Sequence, residues 1–204
     1  MSDYRRILLV VDLSDDSIGR SSGETTAREV ATTLDFRSTP ATRVGTTAAA
    51  WLRDRSRVAW AAAQAGIASA ALDLTASYTS QREQFGKPLS TFQGVALKAA
   101  DSYVDTTVIQ TAALQASWAL DEGRDAAGEA LAAAWWAADG GQRCVHVTQH
   151  LHGGIGADIT YPVHRYFLWV KQIELLLGGA SALLAELGDW LAAAPAPGDA
   201  TVLA

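Results

Sequence analysis

The chain has little cysteine, proline and basic charge, and these shortages exclude several classes of protein. Cys144 is the single cysteine, so no internal disulfide can form, which fits a reducing compartment. A net charge of −6 comes without the clustered basic face that nucleic acid binding needs. We find no charged-then-apolar leader, and no apolar run approaches the ~18 residues of a membrane span. We therefore expect a soluble cytoplasmic protein.

The length and the apolar content of the chain limit how many domains it can form. It has 204 residues, of which 49% are hydrophobic. This is enough for one well-buried core, or for one domain with a fragment of another.

Two short runs near the N-terminus have the composition of β-strands. The first is RILLVVDL, from Arg6 to Leu13, and the second is VATTLDF, from Val30 to Phe36. No alternation of strands and helices follows them, which argues against a doubly wound α/β domain. Because two strands make no stable sheet alone, residues 1–46 are predicted to be a short β segment.

Four helix-forming stretches follow between residues 47 and 192. Glycine and proline positions separate them, and their short connections predict an up-down four-helix bundle of antiparallel neighbours. The approximate bounds are Thr47–Gln81, Ser90–Asp121, Arg124–Leu151 and Val163–Leu191. Residues 193–204, with two prolines and a glycine, are predicted to be a flexible tail.

Apolar residues at steps of three and four predict the buried faces of two of these helices. The second helix has one such stripe, and in the third helix Gly140-Gly141 marks a close helix contact or a kink. The stripe consists of Leu97, Ala100, Val104, Val108, Thr111, Leu114 and Trp118, and the face of the third helix of Leu131, Trp135, Ala138 and Val145.

The seven tryptophans are more than one bundle core needs. Tryptophan is enriched at protein interfaces, so we expect some of these side chains to lie on faces covered by another chain. The alternative is that all seven belong to the core.

All four histidines lie between Val145 and Lys171, in VHVTQHLHGGIGADITYPVHRYFLWVK. His146 and His150 are four residues apart, which makes a zinc site one interpretation. The segment lacks the glutamate of HExxH, and no acidic residue has the spacing to complete a site, so we expect no metal. The glycines after His152 allow a flat or charged ligand to approach the main chain.

Two segments together resemble motifs of the acyl-CoA dehydrogenase family. GGIG followed by YPVHR is similar to that family's flavin-contacting turn, and QREQFGKPLSTFQ, from Gln81 to Gln93, to its R-x-x-F-G segment. The resemblance implies a mainly α fold, in which residues 47–192 form the family's C-terminal four-helix bundle. Residues 1–46 would be the remnant of its β-domain, so the chain is expected to begin inside a domain whose first part is absent.

The resemblance also implies a FAD site that is shared across a subunit interface. Arg82, with Phe85 and Gly86 at the family's spacing, would contact the FAD pyrophosphate, and Gln93 the adenine end, the flavin belonging to a neighbouring subunit. A second group matches the family's Q-x-x-G-G segment, with a histidine in place of the glutamine. It consists of His150, Leu151, His152, Gly153 and Gly154.

The family's catalytic base is a glutamate at one of two places, and this chain has a carboxylate at neither. The matching positions are Leu177 and Ser56, while Glu174 lies three residues before the first. Arg57 matches the arginine that lies against acyl-CoA in the family. An ordinary surface charge on the first turns of the helix is an equally good interpretation of Arg57.

Three hypotheses follow from the sequence, one of which is that Met1 is not the natural start and the full chain is an ordinary flavoenzyme subunit. In the first, the chain is an acyl-CoA dehydrogenase subunit that lacks its own base, inactive alone, and forms a homo- or hetero-oligomer around a shared FAD. The sequence HGGIGADITYPVHRYFLWVKQIE most resembles base-lacking subunits of actinobacterial heteromeric enzymes, some of which act on CoA thioesters of steroid side chains. In the second, it is a structural bundle or truncated fragment with no flavin role.

Overall fold

The computed structural model describes residues 7–45 and 47–193, and most of them are helical. The helices are α1 (Ala48–Gln81), α2 (Gln93–Asp121), α3 (Ala127–His152), α4 (Val163–Leu177) and α5 (Ala180–Ala193). The strands are β1 (Leu9–Val10), β2 (Ile18–Glu24), β3 (Val30–Phe36), β4 (Thr42–Arg43), β5 (Glu83–Gln84) and β6 (Lys87–Pro88). The predicted mainly α four-helix bundle is confirmed.

Helix α3 lies at the centre of the bundle, in contact with α1, α2, α4 and α5. Its buried face consists largely of alanine and glycine, so its neighbours approach closely. One close approach occurs at Gly141, where the side chain of Gln64 from α1 lies directly over the glycine. Gln64 is fully buried, and its Nε2 donates to the carbonyl of Ala137 at 3.0 Å.

The predicted fourth helix is broken into two. Gly178 and Gly179 have left-handed backbone angles, with φ values of 97° and 85°, and this ends α4. Helix α5 then packs against the core through Leu183, which is 2% exposed. The predicted flexible tail was residues 193–204. Ala193 is instead the last residue of α5, and residues 194–204 lie outside the described part of the chain.

The predicted buried stripe of α2 is wrong, because most of it faces outward. Leu97, Val104, Leu114 and Trp118 are each more than half exposed. The inner face instead consists of Ser102, Thr106, Ile109, Ala113, Ala116 and Ala119. The close spacing of α2 and α3 leaves room only for mostly small side chains between them. On α3, by contrast, the predicted face is buried, apart from the half-buried Trp135.

The tryptophans do not form a buried core, so the alternative that places all seven there is wrong. None is fully buried, and Trp135 and Trp136 are half-buried with ring centroids 4.8 Å apart. The other five, Trp51, Trp60, Trp118, Trp169 and Trp190, are each exposed by 39% or more. That another chain covers some of them stays a prediction.

The N-terminal segment contains two small antiparallel pairs, β1 with β4 and β2 with β3. The bounds of β3 are those predicted. The first predicted strand shortens to β1, and Arg6 lies outside the described residues. Strand β2 was not predicted, because IGRSSGE has no apolar alternation. The turn between β2 and β3 contacts α4 through the backbone N–H of Thr26, which donates to Gln172 Oε1 at 3.0 Å.

One described stretch, Val163–Ala193, is long and apolar enough to cross a membrane by length and composition alone. The expectation that no run approaches this length is therefore corrected. Its most apolar window has a mean hydropathy of 1.4 and is only 17% buried within the chain. The break at Gly178–Gly179 divides it, and a single such stretch is weak evidence for a membrane span.

Replacing Gly141 by alanine should destabilise the bundle. The new Cβ would lie 2.3 Å from Gln64 Nε2, which can move only by losing its hydrogen bond to Ala137. We expect Gly141→Ala to lower the free energy of unfolding by about 1–3 kcal/mol in urea denaturation. Gly188→Ala is the control, since a Cβ added there would have no atom within 4 Å; it should be neutral or stabilise by up to ~1 kcal/mol. Equal stabilities would contradict the close contact.

Candidate functional site

The two motif segments meet at one end of the bundle. Because the helices alternate in direction, the C-terminal ends of α1 and α3 lie beside the N-terminal ends of α2 and α4. Arg82 follows α1, Gln93 begins α2, and Gly153 follows α3. The fold therefore brings the two predicted cofactor segments to one end of the bundle.

Arg82 and Phe85 extend from this surface on a tight hairpin. Arg82 stays attached to α1, since its N–H donates to the carbonyl of Tyr78 at 2.8 Å. Strands β5 and β6 then pair around Phe85 and Gly86, both with positive φ. Phe85 is 93% exposed at φ 55°, a conformation that costs energy for a residue with a side chain and is typical of ligand or partner contacts.

A shallow cavity of about 290 Å³ lies beside Arg82. Among the described residues no carboxylate pairs with its guanidinium, in contrast to Arg57, Arg143 and Lys171. The cavity is lined by Leu74, Ser77, Tyr78, Gln81, Arg82 and Tyr161. An exposed guanidinium at the edge of an aromatic cavity is available to an anion.

An aromatic cluster of Tyr78, His152 and Tyr161 joins α1 to the glycine turn. The ring of His152 stacks on Tyr78 with centroids 4.5 Å apart, and the ring centroid of Tyr161 lies 5.3 Å from that of His152. Tyr78 also donates through its hydroxyl to the carbonyl of His152 at 3.4 Å. These contacts fix the start of the glycine turn relative to the last turn of α1, one turn before Arg82.

His152 is a buried, neutral histidine with one unsatisfied nitrogen. It is 3% exposed, and burial lowers its pKa below the usual 6.5. Nδ1 lies 2.7 Å from the carbonyl of Thr148, so Nδ1 carries the proton and donates it. Nε2 is then an acceptor, and it has no hydrogen-bond partner in the described residues.

The turn after His152 is a short 3₁₀ helix, Gly153–Ala157. Gly153 and Gly154 are exposed, so their backbone is open to a ligand, as is the side chain of His150. Leu151 is buried at 9% exposure and packs inward instead. Gly156, the third glycine of the predicted turn, is required by space, since a Cβ there would lie 2.4 Å from the carbonyl oxygen of Gln149.

Arg57, the predicted substrate contact, lies far from this surface. It is 25 residues before Arg82 on α1, roughly 37 Å away at 1.5 Å per residue. Its side chain is buried, with Nη2 2.5 Å from Glu186 on α5 and Nη1 3.8 Å from Asp54. The structure therefore shows Arg57 joining α1 to α5, and its contact with a substrate stays a prediction.

The two positions that match the family's base offer no proton acceptor of that kind. Leu177 is buried at the end of α4, and Ser56 donates its hydroxyl to the carbonyl of Leu52 at 2.7 Å. The nearby carboxylate of Glu174 is paired with Lys171 at 2.5 Å. Residues 7–45 and 47–193 contain no group of three side chains suited to hold a metal ion.

The buried His152 should make the stability of the bundle depend on pH. Its folded pKa lies below 6.5, so on acidification the unfolded chain takes up a proton that the folded chain does not. The free energy of unfolding should fall as the pH drops below about 6.5, by up to ~1.4 kcal/mol per pH unit. Urea denaturation from pH 7.5 to 5.5 measures it.

In this series, His152→Phe keeps the ring stacking and should remove that part of the pH dependence. His150→Gln is the matched control two residues away, and should keep it because His150 is exposed. If both variants followed the wild-type profile, His152 would not be the group responsible.

The comparisons with known proteins point to one family. The acyl-CoA dehydrogenase C-terminal domain matches residues 43–189. Acyl-CoA dehydrogenase FadE27 of Mycobacterium tuberculosis is 41% identical over 160 residues, covering 74% of this chain and 43% of FadE27. FadE28 of the same organism, also an acyl-CoA dehydrogenase, is 42% identical over 123 residues, covering 60% of this chain and 36% of FadE28.

Solved structures agree with this result. A variant of the steroid ACAD Tcur3481-Tcur3483 has a TM-score of 0.88 and 48% identity, covering 91% of this chain and 52% of that one. The ChsE4-ChsE5 complex from Mycobacterium tuberculosis has a TM-score of 0.85 and 37% identity, with the same coverage. The chain thus spans between 36% and 52% of the length of these relatives. Since the family match covers most of its length and the fold agrees, this chain belongs to the acyl-CoA dehydrogenase family, and its bundle is that family's C-terminal domain.

Proposed function

We propose that this chain acts as a subunit of a FAD-dependent acyl-CoA dehydrogenase, without a catalytic base of its own, and holds a FAD that it shares with a partner subunit. The observation that carries the proposal is the end of the bundle that holds both Arg82 and the Gly153-Gly154 turn, joined through the contact of Tyr78 with His152. The two motifs are far apart in the sequence, one after α1 and the other after α3, yet both contribute to this end of the bundle.

The residues of this surface fit a flavin dinucleotide. Arg82 offers the pyrophosphate a guanidinium that has no acidic partner among the described residues, and the exposed backbone at Gly153 and Gly154 allows close approach of the same group. Gln93 and His150 add exposed hydrogen-bonding side chains at the rim. When bound, the flavin supplies the acceptor for the β-hydride of an acyl-CoA thioester. The residues described here bind and orient it.

The distance between Arg82 and Arg57 supports sharing of the cofactor between subunits. Roughly 37 Å along α1 separates them, which is longer than a flavin dinucleotide. One bound flavin therefore cannot meet Arg82 and also react beside Arg57 in the same chain. In the proposed arrangement, Arg82 holds the flavin of a neighbouring subunit.

The absence of a carboxylate at both base positions supports proton abstraction by the partner. The α-carbon of a thioester requires a positioned base, and Leu177 and Ser56 cannot serve. Glu174 is paired with Lys171, which in turn donates to Gln142 of α3 at 3.3 Å. That arrangement stabilises the packing of α4 on α3 rather than preparing a free carboxylate.

An apolar substrate with rings is the proposed substrate class. A cavity of about 170 Å³ lies between α1, α4 and the turn from β2 to β3. Trp60, Ile67, Trp169 and Leu176 contribute to its walls. One structural relative is a steroid ACAD, and the mostly apolar lining of this cavity supports an apolar substrate. We extend that substrate class, as a CoA thioester, to the assembly that contains this chain.

A second candidate is a structural bundle without a flavin role. It is favoured by Arg57, whose guanidinium is committed to Glu186 inside the chain instead of facing a ligand. The two candidates differ in whether Arg82 meets a nucleotide.

Arg82→Ala should lower the FAD content of the assembly. We expect at least a tenfold loss of bound flavin, roughly the 1.4 kcal/mol or more of a charge-assisted phosphate contact. The measurement is flavin absorbance per protein after co-expression with an intact, base-bearing acyl-CoA dehydrogenase subunit. Arg37→Ala, an exposed arginine paired with Asp35 on β3, is the matched control and should keep full flavin content. Unchanged flavin in Arg82→Ala would leave the structural candidate.

Glu174→Gln tests whether this chain supplies the base. If the partner supplies it, kcat of the mixed assembly should stay within about twofold of wild type, since a general base contributes roughly 10²-fold or more. A loss of that larger size at unchanged flavin content and assembly would assign the base to Glu174. Lys171→Gln, which breaks the same ion pair without removing the carboxylate, separates a packing effect from a chemical one.

A further inference from the structure

The cavity between α1, α4 and the turn from β2 to β3 has one charged residue among the described residues that line it. That residue is Glu29, and the only other polar side chain in the lining is Gln172. Alanine, isoleucine, leucine and tryptophan make up the rest. In a mostly apolar lining, such polar groups are the ones that distinguish ligands by hydrogen bonding.

A short, strained turn fixes the backbone position of Glu29. The N–H of Thr25 donates to the carbonyl of Glu29 at 2.9 Å, and the N–H of Glu29 donates to the Thr25 hydroxyl oxygen at 3.2 Å. Arg28 closes the turn at φ 63°, in the left-handed region that glycine usually occupies in hairpins of this length. This conformation costs energy for arginine, and the hydrogen bonds of the turn hold it in place.

The same turn is attached to the bundle beside the cavity. The N–H of Thr26 donates to Oε1 of Gln172 on α4, and Ala27 also lines the cavity. Val30 is 91% exposed, and successive side chains of an extended chain point to opposite sides, so Glu29 faces α1 and α4. It lies exposed at the mouth of the cavity, and no cation of the described chain pairs with its carboxylate.

We propose that Glu29 determines substrate choice, by accepting a hydrogen bond from a hydroxyl group on the ring-bearing end of the acyl-CoA. The inference rests on the proposed function, whose substrate class it narrows. The apolar walls take ring surface out of water, whereas the carboxylate binds a donor and disfavours a ring that has none. A hydrogen bond to a charged acceptor supports a preference of about tenfold or more for the hydroxylated ring.

Two CoA thioesters that differ in a single hydroxyl test this preference. Lithocholoyl-CoA has one ring hydroxyl, and cholanoyl-CoA is the same molecule without it. Isothermal titration calorimetry should show that the wild type binds the first at least about tenfold more tightly. Glu29→Leu should remove the preference. Glu24→Leu is the matched control and should keep it, because Glu24 lies opposite Val30 in the strand pair and shares its outward face.

A further variant tests whether the thioesters bind in this cavity. Ala63 lines it from an exposed position on α1, so Ala63→Trp should fill the cavity without disturbing the core. It should weaken the binding of both thioesters at least about tenfold, since the new ring occupies their place. Circular dichroism should show the helix content of the wild type for all the variants. Each titration is made on the purified chain and on the chain co-expressed with a base-bearing subunit.

Four results would overturn the proposal: equal affinity of the wild type for the two thioesters, no binding of either in both samples, a preference that Glu29→Leu retains, or normal binding by Ala63→Trp. The titration requires neither bound flavin nor turnover. Its failure is therefore distinct from a failure of the FAD proposal, which is tested by flavin content.

Discussion

The close packing of α3 against α1 and α2 is the constraint on which the rest of the structure depends. Alanine and glycine line the contact, and Gln64 fills the space over Gly141 while donating to the carbonyl of Ala137. Helices held this closely have their ends fixed relative to each other. The stacking of Tyr78 on His152, and hence the position of Arg82 beside the glycine turn, follows from that spacing.

The same packing places large apolar side chains on the outside. A core of small residues has no room for Leu114, Trp118 or Trp60, so these residues point outward, where they are covered only if another chain is present. The N-terminal strands have a similar requirement, since each pairs with one neighbour and remains mostly exposed. These exposed apolar surfaces support the proposed assembly with another subunit.

The sequence predicts what depends on local signals and fails where distant contacts decide. The end of α1 and both bounds of β3 agree with the structure, because glycine, proline and turn residues mark them. Periodicity found the stripe of α2 but assigned it to the wrong side, since alanines on the opposite face carry little hydrophobic signal. The helix break at Gly178-Gly179 was visible as a glycine pair that the prediction did not use.

The candidate site shows the same division. Arg82, Gly153 and Gly154 came from motifs, whereas no local pattern marks Tyr78 and Tyr161 as the residues that join these motifs around His152. His152 shows the reason for this difference. Its tautomer is fixed by a hydrogen bond to Thr148 within α3, whereas the burial of its Nε2 depends on a tyrosine from α1. Because Arg57 is committed to Glu186 roughly 37 Å from Arg82, the two ends of α1 serve different tasks, one internal and one directed outward. The outward end is the one that, in the proposed function, contributes to a flavin site completed by a neighbouring subunit.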